Sequence, residues 1–298
     1  MLFTWKQKLY TFITLEDIFM RQFLKGAAFV LAAGMFVGMP LDDAYGQKAD
    51  GGFCNNYNYS SDRASFSEVR EFALPASGRL SVDGGKNGGI AVKGGPGSEV
   101  IVWACVNSWG RTDDAARTVA QNLSIETAGV IKAQNTVDDS NWSVSYLITV
   151  PRNTNLDLRA KNGGLAISGV EGTIEFETVN GGISLKNVAG DVRGRTTNGG
   201  VSIALGGTTW SGTGLDVVTT NGGVKLSMPA MYAANIETGT VNGGFKSEIA
   251  GLEPEDDGDR RHRAKRISAA INGGGAPIKV FTTNGGVKIS SAEGRFEL

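Results

Sequence analysis

The chain has 298 residues, 43 of them glycine and 7 proline, and 41% of its residues are hydrophobic. Glycine does not fall at every third position, which excludes collagen, and the apolar content argues against disorder. A formal net charge of −1 gives no long-range attraction to nucleic acid or to an acidic bilayer.

Residues 1–46 read as a targeting segment. Arg21 and Lys25 precede an apolar stretch over residues 26–39 that is too short for an ordinary membrane span. Ala44-Tyr45-Gly46 then gives the small-x-small pattern of signal peptidase cleavage, so the mature chain is expected to start at Gln47. Glu16 and Asp17 interrupt what should be a basic leader, and the hypothesis is that translation begins at Met20. A precursor whose mass includes residues 1–19 would overturn it. Removal of residues 1–46 takes away as many basic as acidic side chains, so the mature chain stays near neutrality. The expected product is exported (periplasmic, cell-surface or secreted), with no transmembrane span in the mature part.

Residues 47–79 are polar and aromatic and are expected to form an N-terminal cap. No lipid-attachment motif surrounds Cys54, which Gly51-Gly52-Phe53 precede. Cys54 and Cys105 are the two cysteines, and an even pair in an exported chain favours a disulfide over a metal site. Two separate buried thiols are the alternative. From residue 80 the repeat domain is expected to run to 298. Its first unit carries Leu80, Val82, Ile90 and Val92 around Asn87, with one extra residue before the corner; a strand with Ile101, Trp103 and Cys105 follows. Thr112-Asp113-Asp114 opens a short helix through about Gln121, because an acidic first turn suits a helix start. Strands resume at 123–125, 130–133 and 144–150. Regular units run over 156–249, a charged loop is expected over 252–266, and a last unit surrounds Asn284.

The regular part is built on Asn-Gly-Gly-apolar, at Asn162, Asn180, Asn198, Asn221, Asn242 and Asn284, with looser copies at Asn87 and Asn272. Aligned on the Asn, the flanks fall into register. Two residues before it stand Ala160, Thr178, Thr196, Thr219, Thr240 and Thr282; three after stand Leu165, Ile183, Val201, Val224, Phe245 and Val287. Apolar residues at alternate positions on both sides of a glycine corner have the period of half-buried strands. Glycine and Asn at the corner suggest positive φ. Each copy could be an antiparallel hairpin or one coil of a β-solenoid. Only stacking explains why the same Thr and the same corner recur, since each then lies over its equivalent. The Asn and Thr side chains are expected to be structural, bonding along the stack.

The succession of Thr-x-Asn-Gly-Gly-apolar units, the Val150-Pro151 step into them, and Asn272-Gly-Gly-Gly before Thr282-Thr283-Asn284-Gly285-Gly286 resemble the bacterial putative-adhesin family, whose β-strand repeats form a domain of unknown function. The resemblance covers about residues 80–298. It implies a right-handed β-solenoid exported to the cell envelope, with some relatives linked to envelope-stress systems; together with the helix read at Thr112, the expected fold is all-β with one short helix. It brings no catalytic residues.

The sequence offers no enzyme, cofactor or metal chemistry. The sole His262 lies in the charged loop, no P-loop is present, and the corners carry neutral Asn where calcium-binding repeats need Asp. Glu175 and Glu177 face one way on one strand, with no matching acid expected from adjacent units; two outward acids are more often surface charge. Lys225, Lys246 and Lys288 each stand four residues after the repeat Asn. Stacking would bring Lys225 and Lys246 together as a basic face for an anionic glycan, or simply as a solvated surface. The expected function is that of a non-enzymatic interaction protein with a cell-surface glycan or envelope protein as partner. A polysaccharide-active enzyme and a periplasmic component of an envelope-stress response are the alternatives.

Overall fold

A computed structural model describes residues 53–54, 63–136, 141–252 and 265–292. The targeting segment, with the question of Met20, and most of the charged insertion lie outside these residues. The described chain is all-β apart from one short helix, as expected.

The N-terminal part contributes β1 (Ala64–Pro75), β2 (Arg79–Asp83), β3 (Ile90–Gly95), β4 (Glu99–Gly110), α1 (Asp113–Gln121), β5 (Leu123–Glu126), β6 (Val130–Asn135) and β7 (Trp142–Pro151). The repeats follow as strand pairs: β8 (Asn155–Ala160) with β9 (Leu165–Ser168), β10 (Glu171–Thr178) with β11 (Ile183–Lys186), and β12 (Ala189–Asn198) with β13 (Val201–Ala204). Then come β14 (Gly214–Asn221) with β15 (Val224–Met228), β16 (Ala234–Asn242) with β17 (Phe245–Ser247), β18 (Lys265–Ile271), and β19 (Pro277–Asn284) with β20 (Val287–Ser291).

These strands make two ten-stranded sheets. The first has the order β1-β4-β7-β3-β9-β11-β13-β15-β20-β17, the second β5-β6-β2-β8-β10-β12-β14-β19-β16-β18. The two strands flanking each Asn-Gly-Gly corner therefore lie in different sheets, and the hairpin alternative does not hold. Equivalent strands pair in parallel and in register. Leu156, Ile174, Val192, Leu215, Ile278 and Ile236 form one inward row of the second sheet. Leu165, Ile183, Val201, Val224 and Val287 form the corresponding row of the first. All are buried, and each contributes roughly 1.5–3 kcal/mol by leaving water.

One inward row sets a large residue, Phe176, beside a glycine, Gly194. A Cβ on Gly194 would lie 1.9 Å from the Phe176 ring, so the glycine makes room for the aromatic side chain of the neighbouring strand. In the first unit, Leu80 pairs with Leu156 although one more residue separates it from its Asn. The extra residue is absorbed at Gly85, whose φ is 64° and whose N–H donates to Asp83 Oδ1 at 2.8 Å.

The helix follows its local signals. The Thr112 side chain accepts from the Ala115 N–H, Asp113 and Asp114 fill the first turn, and Ala116 and Ala120 are buried. Arg70 closes the other end, donating to the carbonyls of Ala120 at 2.9 Å and Leu123 at 2.6 Å. Cationic groups stabilise helix C-termini because the last carbonyls lack partners. A disulfide joins Cys54 to Cys105 on β4.

Three expectations need correction. The Asn284 unit is not last in space: β19 and β20 lie between β14/β15 and β16/β17. Asn272 is not a corner of the series; it has φ of 47° and donates to the carbonyls of Ala230 and Tyr232. The charged loop is shorter than 252–266, since Leu252 is buried and Lys265 and Arg266 already belong to β18, paired antiparallel with β16.

Candidate functional site

The corner of each unit is held by its neighbours. Asn162 donates to Asn87, Asn180 to Asn162, Asn198 to Asn180, Asn221 to Asn198, Asn284 to Asn221 and Asn242 to Asn284, each from Nδ2 to Oδ1 at 2.7–3.0 Å. Beneath them a second ladder runs from buried threonines to the first glycine of the next corner. Thr178 donates to the Gly163 carbonyl, Thr196 to Gly181, Thr219 to Gly199, Thr282 to Gly222 and Thr240 to Gly285, at 2.7–2.8 Å. Both ladders satisfy polar groups where the backbone leaves one sheet for the other. These side chains are engaged with the protein.

The corner glycines are needed for a different reason from the one expected. Neither glycine of the regular corners has positive φ. Instead, a Cβ on the first glycine would lie about 2 Å from the carbonyl oxygen of its equivalent: Gly181 against Gly163, Gly199 against Gly181, Gly222 against Gly199. The corners stack too closely for any side chain there.

The outer face of the first sheet bears lysines. Its row at four residues after the Asn reads Ala91, Ala166, Ser184, Ser202, Lys225, Lys288, Lys246. Lys225 and Lys246 are thus separated by Lys288, not adjacent, and the three exposed ammonium groups follow one another on successive strands. Lys288 pairs with Glu248 at 3.1 Å; among the described residues no ion pair engages Lys225 or Lys246.

The outer face of the second sheet is mixed and self-compensating. Five residues before the Asn the row reads Asp157, Glu175, Arg193, Asp216, Lys279, Glu237; three before, it reads Arg159, Glu177, Arg195, Val218, Phe281, Gly239. An adjacent unit does supply an acid beside Glu175, namely Asp157, contrary to expectation. Both stand five residues before their Asn, a coincidence of frame that the sequence already contained. Asp157 pairs with Arg159 at 3.2 Å, Glu177 with Arg195 at 3.0 Å, and Glu237 with Lys279 at 3.0 Å and Arg266 at 3.1 Å. The hydrogen bond from Arg195 holds the Glu177 carboxyl below its ordinary range, and that from Lys279, then Arg266, does the same for Glu237. Asp157, Glu175, Glu177, Arg193, Arg195 and Asp216 surround a shallow depression of about 450 Å³.

Among the described residues no three His, Cys, Asp or Glu side chains converge as metal ligands, and no helix is long and apolar enough to cross a membrane. Among the described residues, two buried polar atoms, Ser143 Oγ and Tyr146 OH, have no hydrogen-bond partner. Burial, then the charge of Asp83, pushes the Tyr146 phenol far up, and burial pushes Tyr232 up to about 12.

Two solved structures align with the chain. One is a putative cell adhesion protein from Clostridium sporogenes, 9% identical, covering 76% of this chain and 100% of its own, with a TM-score of 0.39. The other is a putative adhesin from Bacteroides fragilis, 9% identical, covering 76% of this chain and 97% of its own, with a TM-score of 0.33. No protein-family model and no curated protein matches the sequence.

Proposed function

We propose that the mature chain is an exported, non-enzymatic β-solenoid of the cell envelope or surface that binds an anionic glycan, as an adhesin would, across the outer face of its first sheet. The observation that carries this reading is the unbroken run Lys225, Lys288, Lys246. Parallel neighbours are spaced by about 4.8 Å, so three ammonium groups repeat at a short, regular interval. Ala166, Ser184 and Ser202 continue the row with small side chains, which lets an extended polymer lie against the sheet. Exposed charge pairs are individually weak, worth up to about 1 kcal/mol, and screened by salt. Affinity would therefore come from repetition.

Units that alternate between two sheets and stack in register support the solenoid description, and its right hand follows from the family resemblance. The Cys54–Cys105 disulfide supports an oxidising compartment.

Binding of an acidic polysaccharide, with a neutral glucan as control, tests the proposal. The Lys225→Ala/Lys246→Ala variant is expected to lose about tenfold in affinity, as removal of two such contacts would give. Unchanged binding, or equal binding of the neutral polymer, overturns it.

The polysaccharide-active alternative has one observation in its favour, the placement of Asp157 beside Glu175 in the shallow depression. Glycoside cleavage needs a protonated acid beside a free carboxylate. Here Arg159 is paired with Asp157, and the hydrogen bond from Arg195 favours the ionised form of Glu177, which supports the non-enzymatic reading. Turnover of any glycan by the purified protein would reverse that judgement.

A further inference from the structure

The order of the last two units in space is the reverse of their order in the chain. Residues 234–247 come first in sequence, yet residues 277–291 occupy the place next to β14 and β15. β16 and β17 pair only onto β19 and β20 on that side. The segment that fills this slot also grips what lies beyond it. β18 pairs antiparallel with one edge of β16 and β19 parallel with the other. The turn joining them passes the start of β16, where Asn272 donates to Ala230 and Tyr232 at 2.9 Å and Asn235 donates to the Gly275 carbonyl at 2.7 Å. Residues 265–292 are thus a clasp closed around the 234–247 unit.

Nothing in the slot's chemistry selects the clasp of the same molecule. Its upper face offers the Asn221 side chain and the Gly222 carbonyl, which receive Asn284 and Thr282. Its lower face supplies the Asn242 amide and Thr240 hydroxyl, which donate to Asn284 and Gly285. Any strand–corner–strand segment with Thr two residues before Asn-Gly-Gly satisfies both. A second copy carries that segment in the same register, and exchanging identical elements leaves the contacts unchanged. Residues 253–264, at about 3.3 Å each when extended, can span roughly 40 Å.

We propose that the slot between the Asn221 and Asn242 corners is a strand-acceptance site for residues 265–292 of a second copy, giving a reciprocal strand-exchanged dimer. This is independent of the glycan reading.

The test uses two full-length variants, Lys225→Cys and Lys288→Cys, refolded together from denaturant at high concentration with the native disulfide intact, then oxidised. Residues 225 and 288 are direct partners, and a disulfide needs Cα atoms within about 7 Å. Each chain carries one of the two positions, so a 225–288 link can form only between copies. A mixture of Ser184→Cys with Lys288→Cys is the control, because strands β13 and β15 separate β11 from β20. The expected result is a covalent dimer enriched about tenfold over the control, identified by its linked peptide, as the distance criterion requires. Ser227→Cys with Ser290→Cys, also direct partners, gives the same readout should a lysine position disturb folding. Monomer alone, or dimer without enrichment of the linked peptide in both pairs, overturns the proposal.

Discussion

The Thr196 hydroxyl donates to the Gly181 carbonyl oxygen at 2.8 Å, and the same oxygen lies 2.0 Å from where a Cβ on Gly199 would stand. One carbonyl thus explains two features of the frame: a hydroxyl two residues before the Asn, present in five of the six regular units, and no side chain one residue after it.

The two glycines of one corner should therefore respond differently to the same substitution. Gly199→Ala drives a methyl into the Gly181 backbone and is expected to cost about 3 kcal/mol or more, the range of severe overpacking. At Gly200 the nearest atom to an added Cβ is the Gly223 carbonyl oxygen at 3.4 Å, so Gly200→Ala should cost less than about 1 kcal/mol. Denaturant unfolding of both variants checks this; equal losses would refute the steric account.

Thr196→Val keeps the shape and removes the hydroxyl. The Gly181 carbonyl then loses a partner at a buried position, and a loss of about 1–2 kcal/mol is expected. Thr196→Ser, which retains the donor, should recover most of it in the same unfolding experiment.

Tyr146→Phe is expected to leave stability unchanged or raise it by about 1 kcal/mol, because it deletes a buried hydroxyl that has no hydrogen-bond partner. A clear loss of stability would show that the hydroxyl is satisfied in solution.

Protonation of two surface carboxylates should weaken the fold in acid. Glu177 and Glu237 have folded-state values below the ordinary 4.5. Their contribution is complete above 4.5 and is lost as pH falls through the lower folded value. Both side chains are half-buried at the sheet surface, where solvent still screens them, so the effect is small. Comparing thermal midpoints of the parent and Glu177→Gln/Glu237→Gln proteins measures it: the gap should be visible at neutral pH and close in acid.

Buried tyrosines act at the opposite end. With Tyr232 raised to about 12, its phenol stays neutral in the fold while an unfolded tyrosine ionises near 10. The sign is reversed: this contribution is complete below 10 and is lost as pH rises toward 12. Tyrosinate absorbance should show Tyr146 and Tyr232 titrating only with alkaline unfolding.

Much of this architecture was legible because the frame repeats. Leu156, Ile174 and Val192 could be aligned by eye, and the structure places them side by side. The purpose of the corner glycines was not, since a glycine required by positive φ and one required by close approach look identical in sequence. Nor was the position of the final unit. Ile236 and Ile278, Thr240 and Thr282, and Lys246 and Lys288 carry the same residue at equivalent frame positions, so the repeat motif alone fits either unit against Asn221. The clasp decides the matter, and its antiparallel arm, β18, carries no repeat signature. The lysine row was found by frame, with its order wrong for the same reason; the Asp157–Glu175 neighbours were missed because the acids were not placed in the frame.

The asparagine ladder has a direction. Every bond in it runs the same way, from an Nδ2 on the Asn242 side to an Oδ1 on the Asn87 side. Bonds aligned this way polarise one another, and their dipoles sum along the edge of the molecule much as peptide dipoles sum along a helix. The two extremities are consequently unlike: one presents a hydrogen-bond donor and partial positive charge, the other an acceptor and partial negative charge. An edge that looks uniform in sequence is therefore an electrical arrow.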